Sequence, residues 1–345
     1  MRCAGPASGT ETEEPAMGDA KKLNMVQAIN LALHEAMEQD ESVLVMGEDV
    51  GRDEGVFRVL AGLYDAFGPQ RVLDTPLAES GILGTAIGMA LGGLRPVAEM
   101  QFSGFSYLML GQLEGHASRF RARTQGQRQV PLVVRMPYGG GVRALEHHSE
   151  SREATYAHLP GVKVVLPSTP RNARALMASA IADADPVVFM EPKALYRAFR
   201  EEVPEAPERL PIGRARVARP GDALTLVAWG AMMRPALAAA ERVAAARGAE
   251  VEVIDLLTLA PMDGTAVVES VTKTGRAVVV HEAPRSLGAG AEVIARINDR
   301  ALMFLEAPVR RVTGYDVVTP YFGREQHYIP DAGRIVAAIE ETLDF

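Results

Sequence analysis

The stretch LDTPLAESGILGTAIGMALGGLRPVAEMQF, Leu73–Phe102, carries the strongest structural signal in the chain. Pro76 predicts a turn, and the small residues that follow are typical of a helix that packs closely against another backbone or a flat ligand. Glu79 falls in the first turn of this helix, where the helix dipole favours a negative charge. It is either a carboxylate in a tight packing interface or an acid/base group held rigidly beside a cofactor.

Short apolar strands alternate with helical patterns along the rest of the chain, including a helix capped by Asn24, a second helix from Leu108 to Phe120 and a third that begins at Pro170. This alternation predicts an α/β protein whose parallel sheets are covered on both faces. Residues 200–222 contain four prolines and several charges, which indicates a linker. We therefore expect a leader at 1–22, one α/β domain at 23–200, a linker at 201–222 and a second α/β domain at 223–345.

The composition bounds the class of protein. A length of 345 residues suits two domains, and 48% apolar with 23% charged residues is typical of an ordinary globular protein. The net charge of -8 argues against nucleic acid as the main partner, and Cys3 is the single cysteine, which excludes a disulfide framework and a Cys-ligated iron–sulfur cluster. No apolar run reaches the length of a membrane span. The acidic leader fits neither a signal nor a transit peptide, so we expect a disordered leader and a cytoplasmic protein.

Several motifs occur in the order found in one family of enzymes: Gly47-Glu-Asp-Val-Gly51, Asp74-Thr-Pro-Leu-Ala-Glu79, Leu94-Arg-Pro-Val97, His148-Ser149 and Lys273-Thr-Gly-Arg276. From Met25 to Phe345 the chain resembles the beta subunit of the thiamine diphosphate-dependent decarboxylase component of 2-oxoacid dehydrogenase complexes. The resemblance implies a thiamine-enzyme pyrimidine-binding domain followed by a transketolase C-terminal-like domain.

The resemblance also implies a cofactor site. Glu79 would bond the N1' nitrogen of the aminopyrimidine ring and so assist removal of the proton from the thiazolium C2 carbon. Phe105 would stack on the same ring, which is a favourable geometry for two flat ring systems. Leu77 would contact the cofactor, and Glu48, at the carboxyl end of a strand, would support the site from nearby. Without the resemblance, the alternative interpretation is that Phe105 belongs to the hydrophobic core and that Glu48 is a solvated acid in a turn.

Two neighbouring histidines follow a glycine-rich loop. By resemblance His148 faces the active-site channel, where it would position the lipoyl group or protonate it during acyl transfer, while His147 is a neighbour. A histidine suits this task because it exchanges protons near neutral pH. The alternative is a pair of solvated loop histidines.

A structural ion is also implied. In the family, the stretch that matches Ser179–Pro186 holds potassium, with Asp183 and Asp185 as acidic groups and the carbonyl groups of Leu132 and Ala180 as further ligands. The alternative is an ordinary helix-to-strand turn that carries two acids.

The sequence contains no Gly-Asp-Gly, which is the signature of the diphosphate site in thiamine enzymes. We therefore expect an alpha subunit to supply the magnesium and diphosphate ligands within a heterotetramer of two alpha and two beta chains. A single-chain transketolase-like enzyme is an alternative that this absence disfavours. A second alternative is a non-catalytic scaffold in which residues 223–345 only dock the acyltransferase core.

The substrate prediction depends on three segments. Phe189–Arg197, His281–Pro284 and Val312–Asp316 look more like branched-chain 2-oxoacid enzymes than pyruvate enzymes. They predict decarboxylation of a branched-chain 2-oxo acid such as 3-methyl-2-oxobutanoate, with transfer of the acyl group to the lipoyl arm of a dihydrolipoyl acyltransferase core. Pyruvate or acetoin dehydrogenase is the alternative.

Overall fold

The structure, a computed structural model, describes residues 20–345. The first part of the chain builds a sheet from short strands that alternate with helices. These elements are β1 (Lys21–Leu23), α1 (Met25–Gln39), β2 (Val43–Gly47), α2 (Leu63–Phe67), β3 (Val72–Asp74), α3 (Glu79–Leu91), β4 (Arg95–Glu99), α4 (Leu110–Gly115), α5 (Phe120–Arg123), β5 (Val133–Tyr138), α6 (Glu153–Ala157), β6 (Lys163–Val165), α7 (Pro170–Ala182) and β7 (Val187–Pro192).

The second part repeats the alternation around another sheet. Its elements are β8 (Glu201–Val203), β9 (Arg216–Arg219), β10 (Leu224–Ala228), α8 (Met233–Arg247), β11 (Val251–Asp255), β12 (Thr258–Ala260), α9 (Gly264–Thr274), β13 (Ala277–Pro284), α10 (Gly290–Ala301), β14 (Arg310–Gly314), α11 (Glu325–Tyr328) and α12 (Ala332–Leu343).

The first sheet has seven strands in the order β12-β6-β7-β5-β4-β2-β3, and all neighbours are parallel except β12 and β6. Successive residues of a strand point to opposite faces, which is visible in β2. Val43 and Val45 pack with α1 and α7, whereas Leu44 and Met46 pack with α3. Apolar residues on both faces explain why the sheet is covered by helices on each side.

The second sheet has five strands in the order β14-β13-β10-β11-β9, parallel except for the edge strand β9. Helices α8 and α12 pack together on one side of it, and α9 and α10 pack together on the other. The prediction of two α/β domains with parallel sheets is therefore confirmed.

The segments between the two sheets are more ordered than a plain linker. Strand β8 pairs antiparallel with β1, so that Lys21 lies opposite Val203, and β9 forms an edge of the second sheet. Strand β12 follows β11 in the chain but crosses to the first sheet, where it pairs with β6. Residues 1–19 of the predicted leader lie outside the described residues, and its last residues, 21 and 22, belong to β1.

The predicted continuous helix from Leu108 to Phe120 is wrong. Residues 108–120 form a short 3-10 turn, α4, another 3-10 turn and the start of α5, with a break at His116, whose φ is -126° and ψ is -69°. Gly111 and Gly115 weaken the helix here because glycine loses the most backbone entropy on ordering.

Across residues 20–345, every helix is too short or too polar to cross a lipid bilayer.

Candidate active site

Glu79 is the first residue of α3, which begins at the carboxyl edge of the first sheet just after β3. Its side chain is buried, with 4% exposure. Among the described residues, none donates a hydrogen bond to its buried Oε2 atom. Because buried polar atoms are nearly always paired, this oxygen is suited to a partner from outside the described chain, such as a ring nitrogen.

The turn after β2 lies against the loop that leads to Glu79. The amide of Thr75 donates to the carbonyl oxygen of Gly47 at 2.9 Å, and the amide of Gly51 donates to Oδ1 of Asp74 at 2.7 Å. These bonds join the Gly47–Gly51 and Asp74–Glu79 motifs, which are separate in the sequence, into one structural unit.

Glu48 is buried within this unit. Its pKa is raised, first by burial and then by the neighbouring carboxylates of Glu79 and Asp49. Glu48 therefore lies close enough to Glu79 for the two charges to interact, and its role at the site stays a prediction.

Four aromatic rings form a cluster beside this edge of the sheet. The ring of His148 lies 4.4 Å from Phe102 and 5.2 Å from Phe105, with interplanar angles of 67° and 82°. The ring of His147 stacks on Phe105 at 5.9 Å and 18°. Phe105 is half-buried, so part of its surface is open to a ligand. Phe105 and His148, which are 43 positions apart, thus share one site.

A close backbone contact holds this cluster together. A Cβ atom added at Gly104 would overlap the carbonyl oxygen of His147. The loop after β4 and the loop after β5 therefore approach each other at a distance that only glycine allows.

The surroundings of His148 disfavour its protonated form. Burial lowers its pKa, and the nearby charges of Lys193 and His147 lower it further, while Glu146 has the opposite effect. Its Nδ1 atom is buried and has no hydrogen-bond partner within the described part of the chain. The sequence analysis does not identify Lys193, although a lysine directly after a buried strand is a usable signal.

Leu77 does not pack in the core. Its side chain is 77% exposed, between Pro76 and the start of α3. An exposed leucine beside a buried carboxylate suits a contact that a ligand or another subunit completes, and its role stays a prediction.

Comparison with known proteins assigns the family. Residues 21–198 match the model of the transketolase pyrimidine binding domain, and residues 213–335 match that of the transketolase C-terminal domain. The pyruvate dehydrogenase E1 component subunit beta of Acholeplasma laidlawii is 48% identical over 319 residues, covering 92% of this chain and 97% of that protein. The protein of the same name from Bacillus subtilis is 46% identical over 324 residues, with coverage of 94% and 99%.

The chain belongs to the transketolase-like E1 beta subunits of 2-oxoacid dehydrogenases. This family depends on thiamine diphosphate. A solved structure described as a split-gene transketolase, inactive beta4 tetramer, has a TM-score of 0.76 at 23% identity, covers 94% of this chain and 99% of its own, and supports the fold alone. The relatives are named for pyruvate, so they support the alternative substrate prediction rather than the branched-chain one.

A buried ionic network, which was not predicted from the sequence, underlies the site of this E1 beta chain. Arg135 in β5 donates to both carboxylate oxygens of Glu191 in β7, at 2.7 and 2.8 Å, and also to Glu99 in β4. Burial raises the pKa of Glu99 to about 7. The sequence does contain a signal for this network, because each of the three charged residues occurs in a largely apolar strand. The network ties together the three strands that lead to Phe102, to the histidine loop and to Lys193.

The two acids of the predicted potassium site are already paired with side-chain cations. Lys163 donates to both carboxylate oxygens of Asp183, at 2.6 and 2.7 Å, and Arg121 donates to Oδ1 of Asp185 at 2.6 Å. Arg95 also donates to the carbonyl oxygen of Asp183 at 3.1 Å. These carboxylates therefore do not fit a role as ligands of a further cation.

The carbonyl groups of that predicted site are partly free. The oxygen of Leu132 accepts from the amide of Val187 at 3.0 Å, and the oxygen of Ala180 accepts from the amide of Asp183 at 3.3 Å. Each carbonyl has a second lone pair. Within residues 20–345, no group of three or more His, Cys, Asp and Glu side chains is arranged to hold a metal ion.

Proposed function

We propose that this chain is the beta subunit of a pyruvate dehydrogenase E1 component, active together with an alpha subunit. The observation that carries this proposal is the buried Glu79 carboxylate, whose Oε2 atom has no hydrogen-bond partner within the described chain. The pyruvate assignment draws support from relatives at 46–48% identity that carry that name. The reaction would be decarboxylation of pyruvate and transfer of the acyl group to a lipoyl arm of a dihydrolipoyl acyltransferase core.

The residues of the site fit thiamine diphosphate. Glu79 would hold a proton at the N1' nitrogen of the pyrimidine ring, and its burial keeps water from competing for that hydrogen bond. Phe105 would pack on the ring face, and Leu77 would cover an edge. Glu48 would stay beside Glu79 without contacting the substrate. When bound, thiamine diphosphate would supply a thiazolium carbon that adds to a ketone after it loses its proton, and a positively charged ring that accepts the electron pair left behind as carbon dioxide leaves.

His148 would serve the second half of the reaction. A mainly neutral imidazole can accept a proton, and its protonated form is a strong donor because its pKa is lowered. Both properties suit proton exchange with a lipoyl sulfur. The aromatic rings of Phe102 and Phe105 would hold the imidazole in one orientation.

The alpha subunit would complete the cofactor site. Because the sequence contains no Gly-Asp-Gly, the magnesium and diphosphate ligands would come from that partner. The exposed Leu77 would be available for a contact with that chain. A heterotetramer of two alpha and two beta chains accounts for both features.

The branched-chain interpretation has less support. Phe189, His281 and Val312, in the three segments that suggested it, are all buried within strands. Residues in such places report how the sheets pack rather than the shape of a substrate pocket. The names of the relatives therefore outweigh these segments.

The test is decarboxylation by the purified chain, alone and assembled with its alpha subunit, with thiamine diphosphate and magnesium. We expect activity only in the assembled protein, and faster with pyruvate than with 3-methyl-2-oxobutanoate. Activity of the chain alone would contradict the shared site, and a preference for the branched acid would restore the other substrate. A well-assembled but inactive mixture would favour the alternative that this chain is a non-catalytic scaffold for docking the acyltransferase core.

A further inference from the structure

A lysine is buried close to His148 without a bonding partner. Lys193 directly follows β7 and is 4% exposed. No atom in the described part of the chain accepts a hydrogen bond from its Nζ. Burying an unpaired charge is costly, so such a residue is expected to have a purpose other than stability.

The ammonium group lies against the same aromatic ring as His148. The Nζ atom is 5.3 Å from the centroid of Phe102, within the range of a cation–π contact. The ring of His148 approaches Phe102 at 4.4 Å. Lys193 and His148 therefore contact the same ring, and the buried ammonium group lies near a half-buried imidazole. Charges interact more strongly in such a partly buried region than in water.

Two carboxylates from the second part of the chain lie near Lys193, and each accepts a hydrogen bond from a backbone amide. Glu282 in β13 accepts from the amide of Gly140, and Glu325 in α11 accepts from the amide of Arg143 at 2.9 Å. Neither accepts a hydrogen bond from the Lys193 ammonium group in the described chain. Burial lowers the pKa of Lys193 to about 8, and both acids oppose that effect, so its charged form predominates at pH 7.

The charges that face His148 are few. Lys193 approaches it from the segment after β7, while His147 and Glu146 belong to its own turn. The other groups packed on it, Phe102 and Phe105, carry no charge. Lys193 is thus the fixed positive charge among these groups.

We propose that Lys193 is a positioning residue for His148, whose imidazole it keeps unprotonated in the active-site channel. A nearby ammonium makes a second positive charge unfavourable, so the neutral imidazole is the resting form. Lys193 acts through His148 and contacts no reacting atom. This inference rests on the function proposed for His148.

The test is a direct titration of His148 in the assembled alpha–beta protein. The rate of modification by diethyl pyrocarbonate, which attacks neutral imidazole, is followed at the His148 peptide by mass spectrometry across pH. We expect Lys193→Met to raise the pH midpoint of His148 modification by roughly half a pH unit to one pH unit, because the variant removes a positive charge near the imidazole. Lys193→Arg should keep the original midpoint. Lys21→Met, the same change in the exposed strand β1, should also keep it.

The variants separate this role from a packing role. Met resembles Lys in length and removes a buried charge, so the variant is expected to fold; Lys193→Gln is a second neutral variant. A midpoint unchanged in both neutral variants, with a lower melting temperature, would overturn the proposal. The titration requires no turnover. If His148→Ala retained acyl transfer, the function proposed for His148 would be wrong. A shift of the His148 midpoint in Lys193→Met would still show that Lys193 affects the protonation of His148.

Discussion

The amide of Gly51 donates to the Asp74 carboxylate at 2.7 Å, across a separation of 23 residues. This bond joins the turn after β2 to the loop that carries Glu79. A Cβ atom at Gly51 would overlap the Asp74 carboxylate in its present position, so the absence of a side chain there favours this bond. The position of the proposed acid/base group therefore depends on a contact that is remote in sequence.

Asp74→Ala should loosen this loop. Loss of the acceptor leaves the partly buried amide of Gly51 unpaired, which costs on the order of 1–2 kcal/mol. We expect weaker binding of thiamine diphosphate to the assembled enzyme, measured by calorimetry, together with a lower urea midpoint. Asp53→Ala removes an exposed carboxylate two residues from Gly51 and should change neither value. Equal effects of the two variants would contradict the proposed role of Asp74.

Glu79→Gln should nearly abolish decarboxylation without preventing assembly. Glutamine keeps the volume of the side chain but cannot exchange a proton, and such groups contribute roughly 10²–10⁴-fold to rate. The measurement is kcat with pyruvate, with assembly followed by size-exclusion chromatography. Glu48→Gln makes the same change on the neighbouring carboxylate and should cost much less. Loss of assembly in Glu79→Gln alone would indicate a packing role.

Glu282→Gln should change how stability depends on pH. Burial raises the pKa of Glu282 to about 7, above its ordinary value of 4.5. The folded state then binds the proton more tightly than the unfolded state, so this contribution is fully present below pH 4.5 and is lost as pH rises through about 7.

As the pH rises from 5 to 8, the free energy of unfolding of the variant should therefore increase by about 1–3 kcal/mol relative to that of the wild type. Urea denaturation at both pH values measures this difference. Glu269→Gln alters an exposed glutamate in α9 and should show no such trend. A difference that is constant with pH would mean that Glu282 does not titrate in this range.

Potassium should have little effect on stability. Lys163 and Arg121 already neutralise Asp183 and Asp185, which removes the electrostatic reason to bind another cation there. We expect melting temperatures in potassium chloride and sodium chloride to agree within about 1 °C, which for a chain of this length is a difference of no more than about 1 kcal/mol. A rise of several degrees in potassium alone would support an ion held by the carbonyl groups of Leu132 and Ala180. Lys163→Met is the informative variant, because it leaves Asp183 without its ammonium partner.

Local chemistry in the sequence was sufficient for most of the fold. The helix that Asn24 was predicted to cap and the helix that was predicted to begin at Pro170 both form, and the charge of Glu79 lies at the start of α3. Short apolar strands between helices identified both sheets, because a strand that is buried on two faces is apolar at most of its positions. These features depend on residues within a few positions of one another.

Only the tertiary structure decided which distant residues meet. The crossing of β12 into the first sheet, the pairing of β1 with β8, and the approach of Lys193 to Phe102 and His148 join segments far apart in the chain. The Arg135 network likewise depends on the order of three strands. The physical reason is that periodicity and capping act along the chain, whereas strand order, buried charge pairing and the shape of the site depend on packing between elements that sequence spacing does not relate.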